Sequence, residues 1–369
     1  MSRIVRVELG PRSYPIHIAP GLLLRLGELI PTSLQSRSAL LVTDATVAAL
    51  YADRVAHALT ALRCPNGRAI VPAGESSKDG RWLFHVYEKA VEQGLDRKSF
   101  VVALGGGVVG DLAGFAAASY LRGIPFVQIP TTLMAMVDSA VGGKTGINLP
   151  QGKNLVGAFH QPDAVLCDLD ALRTLPRREL VAGLAEVIKY GVIADAALFE
   201  MLERHVEPIL AGDADVLARI VARSCEIKAA VVGQDEREET GARATLNFGH
   251  TAGHAVEAVS GYGHFLHGEA VAIGMVYAAR LSAELCGLPV RDVQRIARLC
   301  ARFGLPTDIP DCPWSPIRRA MGVDKKSTGG CPRFVLASAI GQVRHGHEVP
   351  EEILQKTWET RPAAGSHGF

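Results

Sequence analysis

Four of the twelve histidines, His250, His254, His264 and His267, fall within eighteen residues of one another. His250 and His254 are four apart in a stretch of helical periodicity, so their rings share a face and both could reach one ion. Taken alone, such a pair is better explained by histidines of a core or a surface. His267 opens a second helical stretch as His267-Gly268-Glu269 and adds a third imidazole. A divalent cation also favours an anionic ligand. Glu186 stands in Gly183-Leu184-Ala185-Glu186-Val187-Ile188-Lys189-Tyr190, on a helix otherwise apolar on that side. A carboxylate buried there needs a partner, which a metal would supply, and histidine with carboxylate is a donor set suited to zinc.

A second chemistry is written around residue 105. The apolar or small run Ser99–Leu104 leads into Gly105-Gly106-Gly107, then Val108-Val109-Gly110-Asp111 and a helical pattern. That is the strand, turn and helix order of a phosphate-binding loop, where glycine admits a pyrophosphate to the backbone and the first N–H groups of the helix face negative charge. The glycines at 105, 107 and 110 fit the dinucleotide spacing G-x-G-x-x-G, but the acidic residue expected about 20 positions later to bind a ribose hydroxyl is missing. A dinucleotide is expected, in other than the usual Rossmann arrangement. A tight turn without a ligand is the alternative reading of these glycines.

Basic residues supply a third signal. Asp138, Lys144, Lys153 and Asn154 lie within seventeen residues that also hold Gly142, Gly143, Gly146 and Gly152. Read as a flexible loop with two lysines, the segment suits phosphate or carboxylate, or is simply solvated. Gly142-Gly143-Lys144-Thr145 is not a Walker A motif, because Asp138 occupies the position of its first glycine. Lys189, one turn beyond Glu186, and Lys228, Arg243, Lys325 and Lys326 follow later in the chain. Singly each would be a surface charge, whereas together with Lys144 and Lys153 they describe an anion-binding cleft between two domains.

The elements that must position these residues follow from the pattern of the whole chain. Its 369 residues suffice for two domains, and 48% hydrophobic against 21% charged residues marks an ordinary soluble globular protein. Lys plus Arg total 39 against 38 acidic residues, so nothing argues for nucleic acid or an anionic membrane. The seven cysteines are scattered with no C-x-x-C pair, and no signal-peptide core or membrane span is seen, so a reducing, cytoplasmic setting is expected. Val5 and Val7, then Ile16 and Ile18, alternate with polar residues as an N-terminal hairpin. Strands at Ala39–Thr43, Ala69–Val71, Ser99–Leu104 and Phe126–Ile129, each followed by a helix, predict a parallel sheet covered on both faces. The ligand then belongs at the carboxyl ends, with Asp44, Glu75, the glycine loop, Thr131 and Thr132. After Leu175-Pro176 the periodicity is helical over Arg178–Ile193, Ala214–Gln234, Asn247–Val259, His267–Cys286 and Val290–Phe303, with strand only near Arg333–Leu336 and Gly341. The expected plan is an α/β domain over 1–175, a mainly helical domain over 176–360 and a loose tail over 361–369.

Gly105–Asp111, Pro130-Thr131-Thr132, Met136-Val137-Asp138-Ser139, Gly142-Gly143-Lys144-Thr145, Gly152-Lys153-Asn154, Ala185-Glu186-Val187-Ile188-Lys189, Leu246-Asn247-Phe248-Gly249-His250-Thr251 and Leu266-His267-Gly268-Glu269-Ala270 occur in this order. Together they resemble the 3-dehydroquinate synthase family, sugar-phosphate cyclases of the shikimate pathway, from about residue 40 to about 345. The resemblance implies a Rossmann-like NAD domain followed by an all-α domain. It implies zinc, with cobalt as a substitute, on Glu186, His250 and His267, which turns His254 toward substrate. It implies NAD across Asp44, Glu75, Lys78, Gly105, Gly106, Gly107, Val108, Asp111, Thr131 and Thr132, with Asp138, Lys144 and Lys153 bordering both ligands. The seven-carbon keto sugar acid phosphate would meet Asp138, Lys144, Lys153, Asn154, Lys189, Lys228, Arg243, Asn247, His254 and a lysine of the 325–326 pair, taken as Lys326. Arg122 would reach a neighbouring subunit's site in a homodimer. The implied reaction oxidises the C5 hydroxyl transiently, eliminates phosphate, restores the hydride and closes the ring by an aldol step. His254 and Lys189 are the candidates for proton transfer. Metal-dependent polyol dehydrogenases and cyclases making aminocyclitol or valiolone precursors are the rival readings. The first have no use for the lysine-bearing glycine motifs, and the second depart where Arg243, Asn247 and His254 stand here.

Overall fold

The structure is a computed structural model that describes residues 2–261, 263–323 and 332–360. The chain divides into two compact units. One takes in the residues up to Leu180 together with Gly212–Arg237, and the other Val181–Ala211 and the described residues from Glu238 onward.

In the first unit, β1 (Arg3–Val7) and β2 (Tyr14–Ala19) form the antiparallel hairpin expected, with Val5 opposite Ile16. Then come β3 (Ala39–Asp44), β4 (Asn66–Val71), β5 (Phe100–Gly105), β6 (Phe126–Pro130), a separate hairpin of β7 (Lys144–Leu149) and β8 (Gly152–Phe159), and β9 (Ala164–Asp168). The sheet order is β1-β2-β9-β6-β5-β3-β4, and every neighbouring pair beyond the first is parallel. β5, β6 and β9 are buried at every position, which is why their sequences are continuous apolar runs rather than alternations. From β3 the chain goes outward to β4, then returns to the other side of β3 as β5. The carboxyl ends of β3 and β5 therefore flank the point where the strand order reverses, the usual ligand crevice of such sheets.

Two expectations for this unit change. After β6 the anticipated helix is a single π-type turn, Ala135–Ser139, and the glycine-rich stretch that follows is the β7/β8 hairpin rather than a loop. Its glycines serve close strand approach: a Cβ on Gly157 would stand 2.1 Å from the Thr145 carbonyl oxygen. Helix Ala214–Gln234 has the bounds that its periodicity predicts, yet it groups with this unit, and Cys225 donates to the Met136 carbonyl at 3.3 Å.

The second unit is mainly helical, with one hairpin, β10 (Arg333–Ala339) and β11 (Gln342–Glu348), where strand was expected. Ala252, Val256, Ile273, Tyr277, Phe334, Leu336 and Trp358 share one core cluster. Helices His267–Cys286 and Val290–Phe303 match their expected bounds because Gly287 and Gly304, in left-handed conformation, stop them. The expected helix Asn247–Val259 begins instead at His250, since Gly249 adopts a φ of 82° and separates it from the 3-10 turn Ala242–Asn247. Among the described residues no helix is long and apolar enough to cross a membrane.

Candidate active site

The glycine loop of the first unit is built for anions. Gly106 precedes helix Gly107–Ser119, and no side chain caps it, so the first-turn N–H groups are left for a ligand. None of Gly105, Gly106, Gly107 and Gly110 has a positive φ. Space explains them. A Cβ on Gly105 would stand 2.7 Å from Val109 Cγ2, on Gly107 2.9 Å from Ser139 Oγ, and on Gly110 2.8 Å from Gln128 Oε1. Thr131, buried at the end of β6, donates its N–H to the Gly105 carbonyl at 2.9 Å, and Thr132 Oγ1 accepts from the Ala135 N–H. Asp44, ending β3, accepts from the N–H groups of Thr46 and Val47.

Charges around this loop are matched within the unit. The buried Lys78 ammonium donates to Asp111 and to Asn154 Oδ1. Burial pushes the Asp111 carboxyl above its ordinary pKa, and the Lys78 charge opposes that rise. Glu75 accepts from Asn148 Nδ2 at 2.7 Å, and Asn148 Oδ1 in turn accepts from the Asn154 N–H at 2.9 Å. Asn154 needs that support, having a left-handed φ of 54°. Lys228 donates to both the carbonyl and the carboxylate of Asp138, at 2.7 and 2.6 Å, on the π-type turn. Lys144 is exposed on β7 and Lys153 half-buried on β8. Arg122 is exposed, and Leu121, Arg122 and Gly123 are consecutive residues of positive φ, 50°, 69° and 119°.

In the second unit three helices carry the other set, and glycine holds them at backbone contact. A Cβ on Gly268 would lie 1.8 Å from the Ala182 carbonyl oxygen on the helix of Glu186, and one on Gly274 2.0 Å from that of Gly249, beside His250. Glu186 is fully buried; its Oε2 accepts from Lys189 Nζ, itself 1% exposed, one turn on as the spacing predicts. Its Oε1 is buried without a hydrogen-bond partner. His250 Nε2 lies 3.5 Å and His267 Nε2 3.9 Å from that same oxygen. His250 Nδ1 faces the Phe248 carbonyl at 3.3 Å; a carbonyl only accepts, so Nδ1 carries the proton and Nε2 its lone pair. Burial first, then the Lys189 charge and the other two histidines, hold the His250 imidazole well below its usual pKa, so it stays neutral and able to ligate. An orphaned carboxylate oxygen faced by two imidazole nitrogens fits a divalent cation. His254 joins the cluster, its ring centroid 5.4 Å from that of His250 and 5.7 Å from that of His267, and the donor atoms of all three histidines lie within 4.8 Å of one another. His264 lies outside this cluster and pairs its ring with Phe265. Arg243 is buried, and Asn247 Nδ2 donates to the Ala244 carbonyl.

The family is settled by comparison with known proteins. A model of the 3-dehydroquinate synthase N-terminal domain matches residues 68–182, and one of the C-terminal domain residues 183–327. The chain belongs to the 3-dehydroquinate synthase family. A 3-dehydroquinate synthase from Pelobacter propionicus is 52% identical over 352 residues, covering 95% of this chain and 98% of the relative. Among solved structures, 2-epi-5-epi-valiolone synthase from Streptomyces hygroscopicus subsp. jinggangensis, with NAD+ and Zn2+ bound, superposes with a TM-score of 0.86 at 29% identity, covering 96% of this chain and 98% of that one. A 2-deoxy-scyllo-inosose synthase complexed with carbaglucose-6-phosphate, NAD+ and Co2+ gives 0.87 at 26%, covering 96% and 99%. The expected site residues fall into a glycine-loop set in one unit and a histidine set in the other. Lys325, Lys326, Cys331 and the tail 361–369 lie outside the described residues. Sequence reasoning missed Asn148 and Glu257. The second shows only as an acid three residues after His254 on a helix otherwise apolar there.

Proposed function

We propose that the chain works as a 3-dehydroquinate synthase that converts 3-deoxy-D-arabino-heptulosonate 7-phosphate to 3-dehydroquinate and phosphate with no net oxidation. The observation that carries the reading is the unpartnered Glu186 Oε1 with His250 and His267 aimed at it, in a chain that also has the uncapped glycine-loop helix. Glu186, His250 and His267 would hold zinc, or cobalt in its place. Asp44, Glu75, Lys78, Gly105–Asp111, Thr131 and Thr132 would hold NAD, whose binding to a relative of the same fold supports this. When bound, NAD supplies a hydride acceptor restored within each turnover, and zinc a Lewis acid for the hydroxyl being oxidised.

The chain's own groups do the rest. Lys144, Lys153, Asn154, Lys228, Arg243, Asn247 and Lys326 bind the substrate's phosphate and carboxylate and orient it, and Asp138 fixes the Lys228 ammonium. His254 and Lys189 move protons, since an imidazole and a buried amine suit transfer near neutral pH. Arg122 acts at a partner's site in a homodimer, a reading supported by its exposed, left-handed turn. The setting is cytoplasmic.

Purified protein with zinc and catalytic NAD should release phosphate from the heptulosonate phosphate without accumulating NADH, followed by phosphate assay and absorbance together. Stoichiometric NADH would make the enzyme a dehydrogenase. Activity linear in enzyme concentration down to full dilution into monomers would remove the role given to Arg122.

A further inference from the structure

Glu257 has no part in the scheme above, yet it is a carboxylate only 7% exposed on an otherwise apolar helix turn. Such a group persists in a core only with a partner. It stands seven residues after His250 on helix His250–Val259, which brings it round to the face of His250 and His254. Its Oε2 lies 3.1 Å from His267 Nδ1. A carboxylate oxygen can only accept, so His267 Nδ1 carries the proton. The other ring nitrogen, Nε2, is then the lone-pair atom, and it is the one turned toward Glu186 Oε1.

His267 needs this restraint more than His250 does. It is the first residue of its helix, it is more exposed, and a ring there has several rotamers open to it. The backbone below it is fixed: Glu269 accepts from the Leu266 N–H at 2.8 Å, and Gly268 presses on Ala182. That fixes Cα, not the ring. His250 takes its orientation from a backbone carbonyl, whereas His267 has an ionisable side chain in that place.

We infer that Glu257 is a positioning residue for the metal centre: by accepting from His267 Nδ1 it sets the tautomer and ring direction that offer Nε2 to the cation. This inference rests on the metal reading proposed above. Carboxylates behind ligating histidines commonly change metal affinity by about 10–100-fold when removed.

The test is zinc affinity of the full chain, by competition against a chelating dye, for wild type, Glu257→Gln, Glu257→Ala, His267→Ala and the Glu257→Ala/His267→Ala double variant. The d–d absorption of the cobalt-substituted forms is recorded alongside. Glu257→Ala should bind zinc about 10–100-fold more weakly with an altered cobalt band, and Glu257→Gln, whose amide oxygen still accepts, should recover most of the loss. In the His267→Ala background Glu257→Ala should cost nothing more, because its effect passes through that ring. Equal affinities of wild type and both single Glu257 variants, or a full additional loss in the double variant, would overturn the inference while leaving the metal site intact. A wild type that binds neither zinc nor cobalt would overturn the metal reading, and this one with it.

Discussion

The polar groups around the glycine loop and those around Glu186 are balanced in opposite ways. Lys78 meets Asp111 and Asn154, Lys228 meets Asp138, and Glu75 accepts from the neutral amide of Asn148, so each of these charges has a polar partner within the first unit. Around Glu186 the second unit aims acceptors at one another. A buried carboxylate oxygen without a hydrogen bond faces two imidazole nitrogens, each in a ring whose other nitrogen carries the proton. The difference reflects what each region recognises. A dinucleotide phosphate can be received by backbone N–H groups and shape, which leaves the side chains free to neutralise each other. A small cation must be met by converging lone pairs, and no protein donor can sit among them without taking its place.

Breaking the second region should therefore have the largest effect. Glu186→Gln keeps an oxygen for Lys189 but removes the charge, and His250→Ala removes a nitrogen held neutral by its surroundings. Both variants should purify without zinc and lose about a thousandfold or more of phosphate release, the several kcal/mol that a Lewis acid contributes. Metal analysis after gel filtration, beside the activity assay, checks this. Zinc retained at wild-type content in either variant would assign the ligands elsewhere.

The first region should fail more gently. In Gly107→Ala the new Cβ would meet Ser139 Oγ at 2.9 Å and Ser139 Cβ at 3.4 Å, so the Ser139 hydroxyl has to turn away or the start of the helix has to shift. Overpacking of this kind costs about 1–3 kcal/mol, and at its lower end NAD would bind about ten-fold more weakly. Zinc content should be unchanged, because the metal residues belong to the other unit. A fluorescence titration with NAD and a metal assay on the same sample separate the two regions. Loss of zinc in Gly107→Ala would mean that they are not independently built.

The same contrast decides what could be read in advance. The parallel sheet and the glycine loop are legible because fully buried strands leave continuous apolar runs, and because glycine forced by space leaves a mark at a fixed position. Helices Ala214–Gln234, His267–Cys286 and Val290–Phe303 keep their bounds because periodicity and terminal signals are local. Which unit a helix joins is not local, and nothing in Ala214–Gln234 announces that it groups with the sheet. The β7/β8 hairpin misleads for a related reason. No residue of β8 is buried, so no apolar face marks it as a strand, and Gly146 and Gly157 look like flexibility when they are contact. At the site, Glu186 and the clustered histidines stand out by residue type, and only the family resemblance prefers His267 to His254 as a ligand, whereas Glu257 depends on a 3.1 Å contact across two helices that spacing along one helix does not reveal.

The smallest effect concerns Asp111, where the balance of the first region is imperfect. Burial lifts its carboxyl above the ordinary value of 3.8, and Lys78 only opposes that lift. The folded state thus holds the proton more tightly than the unfolded chain. By linkage, this group's contribution to stability declines as pH rises from 3.8 through the folded value, and is level beyond it. Asp111→Asn has no such proton. Its urea midpoint, compared with that of wild type at successive pH values, should therefore show wild type gaining on the variant as pH falls from neutrality toward 4, by about 1 kcal/mol for each unit of lift. Removing the opposing charge in Lys78→Met should widen that window upward. A difference between wild type and Asp111→Asn that shrinks on acidification would mean that the ammonium outweighs burial. The glycine-loop region would then be a fully compensated ion-pair site, and its contrast with the uncompensated Glu186 oxygen would be sharper.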